Sequence, residues 1–223
     1  MARSARLVVP GQPHHVTQRG SRRLPVFFSE QDYRAYGALL AKGCAKAGTE
    51  IWAYCLMPNH VHLILVPSHA DGLRAALAEA HRRHAREVNR REAWGGHLWQ
   101  SRFASFPMDQ GHLLACARYV ELNPVRARLA ATPWAWPWSS AKAHLAGKDD
   151  GLVRVAPLLE RVADWRSFLA AGLSETERDA IRGHERSGHP QGDDRFFARL
   201  EAILGRDVKL RPPGRPAGKA APN

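Results

Sequence analysis

Residues 57–66, Met-Pro-Asn-His-Val-His-Leu-Ile-Leu-Val, constrain the fold more than any other stretch of the chain. A Pro-Asn turn leads directly into an apolar run with a histidine pair at its start. Side chains alternate faces along a strand, so Val61, Leu63 and Leu65 share one face and His60, His62, Ile64 and Val66 the other. A strand apolar on both sides belongs near the middle of a covered sheet. The two imidazoles lie about 7 Å apart on one face, near enough for both to reach one divalent cation. Two half-buried strand histidines bonded to neighbours would show the same spacing, so His-x-His alone does not fix a metal role.

A second stretch bears on the same question. In residues 109–124, Asp109 is a good N-cap and Pro124 a good stop, which predicts a helix of about four turns. Leu113, Leu114, Ala117 and Val120 form its apolar stripe. Tyr119 and Asn123 are four apart and share a face. A cation near a phenol favours the phenolate, which makes Tyr119 a candidate nucleophile. Asn123 offers a neutral oxygen ligand one turn later. Amphipathic packing by the tyrosine and a polar helix end at the asparagine are the plainer alternatives.

The rest of the chain supplies a frame for these two stretches. His14–Gln18 read as a first strand, followed by the basic loop Arg19-Gly-Ser-Arg-Arg. Guanidinium forks beside a glycine suit phosphate contact, which makes Arg19, Arg22 and Arg23, with the surface Arg102, candidate phosphate ligands; a solvated basic turn would read the same. His14 and His15 read as structural. Ser29 and Asp32 predict a capping box opening a helix to Ala47, and Ile51–Leu56 form a hairpin with 60–66. A helix from Asp71 carries Arg74, Arg82, Arg83, Arg86, Arg90 and Arg91 outward against Glu79 and Glu87. Residues 97–108 read as one or two strands, in which Trp99 and Phe103 are expected to pack in the core or to stack on a base. The order strand-helix-strand-strand-helix-strand-helix predicts an α+β, ferredoxin-like sandwich, an antiparallel sheet with helices on one face. In that frame the tyrosine helix can meet the histidine pair.

Beyond it, residues 126–140 read as an irregular, Trp- and Pro-rich strap anchored by Trp138, and a boundary is expected near 148, within residues 146–151. Residues 149–208 then form a small helical extension, with Gly183–Asp194 as a loop. Residues 209–223, rich in Pro, Gly and basic side chains, form a disordered tail.

Composition decides what such a domain meets. A net charge of +12 on 223 residues favours a polyanion, nucleic acid before an anionic membrane surface. Cys44, Cys55 and Cys116 have neither metal-cluster nor disulfide spacing, consistent with a reducing compartment. No apolar run approaches the ~18 residues of a membrane span, and no signal-peptide pattern opens the sequence. The expected setting is the cytoplasm, in association with a bacterial nucleoid.

His-x-His in a strand followed about sixty residues later by Tyr-x-x-x-Asn in a helix resembles the single-tyrosine HUH transposases. Four flanking phrases, Tyr54-Cys-Leu-Met-Pro-Asn-His-Val-His-Leu, Leu98-Trp-Gln-Ser-Arg-Phe, Arg118-Tyr-Val-Glu-Leu-Asn-Pro-Val-Arg-Ala and Trp138-Ser-Ser, resemble the REP-associated tyrosine transposase branch. The resemblance covers residues 5 to about 145; Gly188-His-Pro-Gln-Gly and the closing Pro-Gly-Arg-Pro match the branch more loosely.

The resemblance implies a DNA endonuclease and strand transferase. His60 and His62, with Asn123 as a weaker third ligand, would hold Mg²⁺ or Mn²⁺, and Tyr119 would attack the scissile phosphate. It would keep the 5′ phosphate as a phosphotyrosine and free a 3′ hydroxyl. The implied substrates are single-stranded DNA hairpins, handled by a monomer or homodimer. Insertion-sequence relatives often carry glutamine at the position of Asn123, which is one methylene shorter. Two alternatives share the composition: a non-catalytic DNA-binding protein on the same fold, and a metal-dependent phosphodiesterase that uses water.

Overall fold

The computed structural model describes residues 6–187 and 189–208; the expected disordered tail at 209–223 lies outside them. Four strands, β1 (His14–Arg19), β2 (Thr49–Met57), β3 (His60–Pro67) and β4 (Ala104–Pro107), form one sheet in the order β2-β3-β1-β4. Every neighbouring pair is antiparallel. Helices α1 (Glu30–Lys46) and α2 (Gly72–Arg91) make the two crossovers, which completes the ferredoxin-like pattern expected from sequence.

Local chemistry accounts for the element ends. The Ser29 side chain accepts from the Asp32 amide and the Asp32 carboxylate accepts from the Ser29 amide, a full capping box at the start of α1. Asp109 likewise caps α3 (Gln110–Glu121) through the His112 amide. Asp71 stands at the N-cap of α2 but its carboxylate takes the Arg74 guanidinium and not a backbone amide. Pro124 does not simply end the tyrosine helix. It sits in the first turn of a new short helix, α4 (Asn123–Arg126), where its missing N–H leaves nothing unsatisfied.

The placement of α3 differs from the expected one-sided sandwich. Val61, Leu63 and Leu65 pack with Tyr36 and Leu40 of α1 and Leu73 and Leu77 of α2 in one core. Ile64 and Phe106 pack with Leu113, Cys116 and Val120 of α3 in a second core on the opposite face. Right-handed crossovers oblige α1 and α2 to share a face. No such rule binds a helix that follows the edge strand, and the second face is apolar, so α3 covers it. The two-sided apolarity of residues 61–66 is the local signature of this arrangement.

Residues 133–140 strap the β2 edge as expected. The Leu56 amide donates to the Trp138 carbonyl at 2.8 Å, and the Trp138 indole stacks on Tyr33 at 4.7 Å. The C-terminal part adds to both cores: Val153 and Val155, in the irregular stretch before the helices, to the first, and Leu158, Trp165, Leu169 and Ile181 to the second. The fully buried Glu121 carboxylate of α3 accepts from Ser140 Oγ at 2.6 Å, His144 Nδ1 at 2.6 Å and Trp165 Nε1 at 2.8 Å. Helix α5 (Ala141–Ala146) and helix α7 (Trp165–Ala170) are thereby fastened to the tyrosine helix. Helix α6 (Ala156–Leu159) lies between them in sequence. The expected loop at Gly183–Asp194 is instead helical at its start: α8 runs Glu175–Ser187, and α9 spans Asp194–Leu204. Gly183 signals a break, but Ile181, His184 and Glu185 lie at helical spacing and all face the protein, so packing overrides it.

Candidate active site at the head of the central hairpin

The site forms where the Met57-Pro58-Asn59 turn feeds β3. The register pairs Arg19 with His60, Thr17 with His62, and His15 with Ile64. Directly opposed residues of an antiparallel pair share a face, so His15, Thr17 and Arg19 line the same face as the histidine pair. His15 also pairs with Phe106 on the far side. The face beneath α3 is therefore a row drawn from three strands. His15 and His62 are diagonal neighbours, within reach of long side chains.

The row is closely coupled. The His60 and His62 rings meet edge to face, with centroids 4.8 Å apart. His62 Nδ1 lies 3.0 Å from His15 Nε2 and 3.5 Å from Glu185 Oε1. Tyr119 stands over the row, its ring centroid 5.5 Å from His62 and 6.2 Å from His15, both edge to face. Helix α4 brings the Arg126 guanidinium 4.2 Å from the Tyr119 ring centre. The structure thus unites His60, His62 and Tyr119, and adds His15, Arg126 and Glu185, which sequence reasoning left out. His15 is not merely structural packing; it contacts the site. Donor atoms of His15, His62 and Glu185 all lie within 4.8 Å of one another.

Asn59 fixes the state of His60. The Asn59 amide nitrogen donates to the Arg23 carbonyl at 2.9 Å, so its oxygen faces His60 Nδ1, 2.6 Å away. That oxygen can only accept, so the proton is on Nδ1 and Nε2 presents a lone pair. His62 Nδ1 lies between the Glu185 carboxylate, which accepts, and His15 Nε2. We assign its proton to Nδ1, which again leaves Nε2 as the ligand atom. A ring N–H held by a carboxylate, carbonyl or other acceptor is how metal-binding histidines are oriented. Burial holds all three rings neutral. It lowers His15 and His60 to about 3, with Arg19 and Arg126 adding to the effect at His60, and pushes His62 well below its ordinary value. Asn123 is buried, and its amide nitrogen has no partner among the described residues. Two neutral imidazole lone pairs on one face are donors that suit a divalent cation.

The electrostatics around Tyr119 are mixed. Burial raises the phenol above its ordinary value and Glu185 adds to this, while Arg126 and Arg182 act in the opposite direction. Burial dominates, so the resting tyrosine is a neutral phenol. Glu185 is itself raised by burial, against the pull of Arg19, Arg126 and Arg182.

The remaining candidates divide. Arg19 stands at the rim of the site, and Arg22 and Arg23 are exposed in the following turn. Arg102 is exposed beside Arg6, away from this row. Trp99 and Phe103 are core residues and do not offer a face to a base. On α2, Arg74, Arg82, Arg90 and Arg91 are ion-paired, leaving Arg83 and Arg86 without such a partner among the described residues.

A four-stranded antiparallel sheet with a histidine pair on an inner strand, under a helix that carries a tyrosine, is the HUH-type fold of proteins that process DNA strands. The chain belongs to the IS200-like transposase family, whose model matches residues 9–123, more than half of its length. It is therefore a protein of a DNA-cleaving, transposase class. The structure of a REP-associated tyrosine transposase bound to a REP hairpin superposes with a TM-score of 0.56 at 20% identity, over 69% of this chain and 89% of that one. At that identity the likeness is one of fold. A crystal structure of a transposase candidate from Deinococcus radiodurans R1 gives a TM-score of 0.39 at 23% identity over 54% of this chain and 96% of that one, too partial an overlap to inform the fold. No curated protein matches the sequence. No described helix is long and apolar enough to cross a membrane.

Proposed function

We propose that this protein nicks and rejoins single-stranded DNA hairpins through Tyr119, as a member of the REP-associated branch of its family. The observation that carries the reading is the edge-to-face contact of Tyr119 with His62, whose neighbour His60 presents a lone pair on the same face. His60 and His62 would hold Mg²⁺ or Mn²⁺, with Asn123 as a third ligand. A bound divalent cation polarises a phosphate oxygen and offsets charge in the transition state.

The chain's own groups supply the rest. Tyr119 is the nucleophile: its phenol oxygen bonds to phosphorus as the P–O3′ bond breaks, and the phenol proton passes through solvent to the leaving oxygen, so the 5′ phosphate stays on the tyrosine and a free 3′ hydroxyl departs. The phosphotyrosine conserves the bond for rejoining without an external energy source. Arg126 steadies the phenolate. Arg19, Arg22, Arg23 and Arg102 hold the strand by its phosphates, and the +12 charge brings it in. The catalytic unit is residues 1–148, with 149–208 as a helical extension packed against it, and the site of action is the nucleoid.

A second reading has support in the burial of Tyr119, which is 4% exposed. A protein with so enclosed a phenol would bind hairpins without cutting them. Tyr119→Phe separates the two. Incubated with Mn²⁺ and a hairpin labelled on the 3′ side of the nick, the parent should retain label through denaturing electrophoresis, and the phenylalanine variant should bind equally and retain none. Cleavage by the variant would make water the nucleophile. An unlabelled parent under all metal conditions would favour the binding protein.

A further inference from the structure

The basic turn after β1 does more than expose two arginines. Residues 21–25 face residues 94–98 across an open cleft of about 370 Å³, lined by Arg22, Leu24, Asn89, Trp94 and Gly96 among others. That size falls within the ~300–1,000 Å³ of small-ligand sites. Its walls combine apolar and cationic groups. Leu24 is 50% exposed and Trp94 43%, and Phe28, which meets the Trp94 ring edge to face at 5.6 Å, is 41% exposed. These are three of the five large hydrophobic side chains that the described surface exposes. Arg22 lines the cleft and Arg23, next to it in the chain, is exposed; neither has an ion-pair partner among the described residues.

Both rims hold conformations that side chains with a Cβ seldom adopt. Arg22 has φ 55°, Arg23 φ 64° and Ala93 φ 53°, three of the four such non-glycine residues in the described chain. Backbone of this kind persists where its surroundings over-determine it, and it gathers at ligand clamps. Here the surroundings are visible. The Ser21 amide donates to Leu98 O at 2.8 Å, its hydroxyl to His97 O at 2.6 Å, and the Asn89 amide to Gly96 O at 2.9 Å. The Gly20 amide donates to the Asn59 carbonyl at 2.9 Å, and a Cβ at Gly20 would collide with the Leu24 carbonyl. The rim is also joined to the catalytic histidines, because the carbonyl of Arg23 holds the Asn59 amide that orients His60.

We propose that this cleft takes one unpaired nucleobase of the DNA strand, stacked on Trp94 with its flanking phosphates on Arg22 and Arg23. The proposal rests on the reading of the protein as one that binds single-stranded DNA, and it deepens that reading by placing a base-stacking subsite on the turn that orients His60. Every base has an apolar π-face that an indole can stack on, and its flanking phosphates are complementary to two uncommitted guanidinium groups. A purely apolar ligand would leave the arginines idle, and a bare phosphate would leave Trp94 and Leu24 in water. A base seated here would tie the strand to the turn that orients His60, and so set which phosphate lies over Tyr119.

Two hairpins with the same stem test it, one blunt and one with a six-nucleotide single-stranded extension carrying 5-iodouracil at each position in turn. Ultraviolet irradiation of the full-length protein with the extended hairpin should give a cross-link that peptide mass spectrometry maps to Trp94 at one position. In equilibrium binding the parent should favour the extended hairpin by about tenfold, the effect of stacking one base on an aromatic ring. Trp94→Ala should abolish that preference with blunt-hairpin affinity unchanged, and Trp94→Phe should keep most of it. Cross-links that map only elsewhere, or an equal loss on both hairpins, would overturn the subsite while leaving hairpin binding in place. Failure of the parent to bind either hairpin would remove the DNA-binding reading and the subsite with it.

Discussion

Glu185 Oε1 lies 3.5 Å from His62 Nδ1, although the two residues belong to α8 and β3, on opposite sides of the family-matched segment's end. The carboxylate enters a site otherwise surrounded by guanidinium groups. Arg19, Arg126 and Arg182 all favour its charged form against burial. It occupies the kind of position, anionic and arginine-flanked, that a DNA phosphate would need.

If that is so, Glu185→Gln should bind a single-stranded hairpin more tightly than the parent, by about tenfold or ~1.4 kcal/mol at low ionic strength. The gain should shrink as salt screens the site. Fluorescence anisotropy at pH 8, from 20 to 200 mM salt, is the measurement. Weaker binding, or loss of metal-dependent cleavage with unchanged DNA affinity, would instead identify Glu185 as a metal ligand.

Asn59 acts on chemistry through His60. Asn59→Ala removes the acceptor that keeps the proton on Nδ1, so the His60 ring is free to turn and to change tautomer. Loss of such an orienting partner lowers metal affinity or activity about 10- to 100-fold. Titration of Mn²⁺ against cleavage should show the requirement for metal shifted upward with maximal rate nearly restored at high Mn²⁺. EDTA should abolish cleavage in parent and variant alike. Full activity of the parent in EDTA would dismiss the metal assignment.

Buried neutral histidines make the fold acid-labile. Burial lowers His14 to about 4, partly opposed by its bond to the Gln12 carbonyl, and His81 to about 3, reinforced by His84 and Arg6. The unfolded chain binds these protons near pH 6.5, the folded chain only near 4 and 3. Between those values the unfolded state holds more protons, so stability falls as the pH is lowered through this window. Each histidine contributes a slope of up to ~1.4 kcal/mol per pH unit. Urea midpoints measured from pH 7.5 to 5 should therefore decline, steepening below 6.5. A flat profile would mean that these rings are solvated in the native state.

Much of the site was legible in sequence because its parts are local. The strand parity of His60 and His62, the helix that carries Tyr119, and the cap at Asp109 each depend on a few neighbouring residues and on a fixed backbone period; the expected single helix through Asn123 is instead broken after Glu121. Alternation of apolar residues from Val61 to Val66 already implied cover on two faces.

What the tertiary structure decided was everything that depends on register and packing between distant segments. His14 and His15 are adjacent, and only the pairing of His15 with Ile64 and Phe106 puts one of them beside His62 while the other bonds to the Val9 amide and the Gln12 carbonyl. Helix α3 took the second face because that face was apolar and uncovered, a condition set by four strands together. Helix α8 ran past Gly183 because Ile181, His184 and Glu185 found partners on the sheet. Local periods are written into consecutive residues; a strand register or a helix's choice of face is a free-energy comparison over the whole core, and no short stretch of sequence contains it.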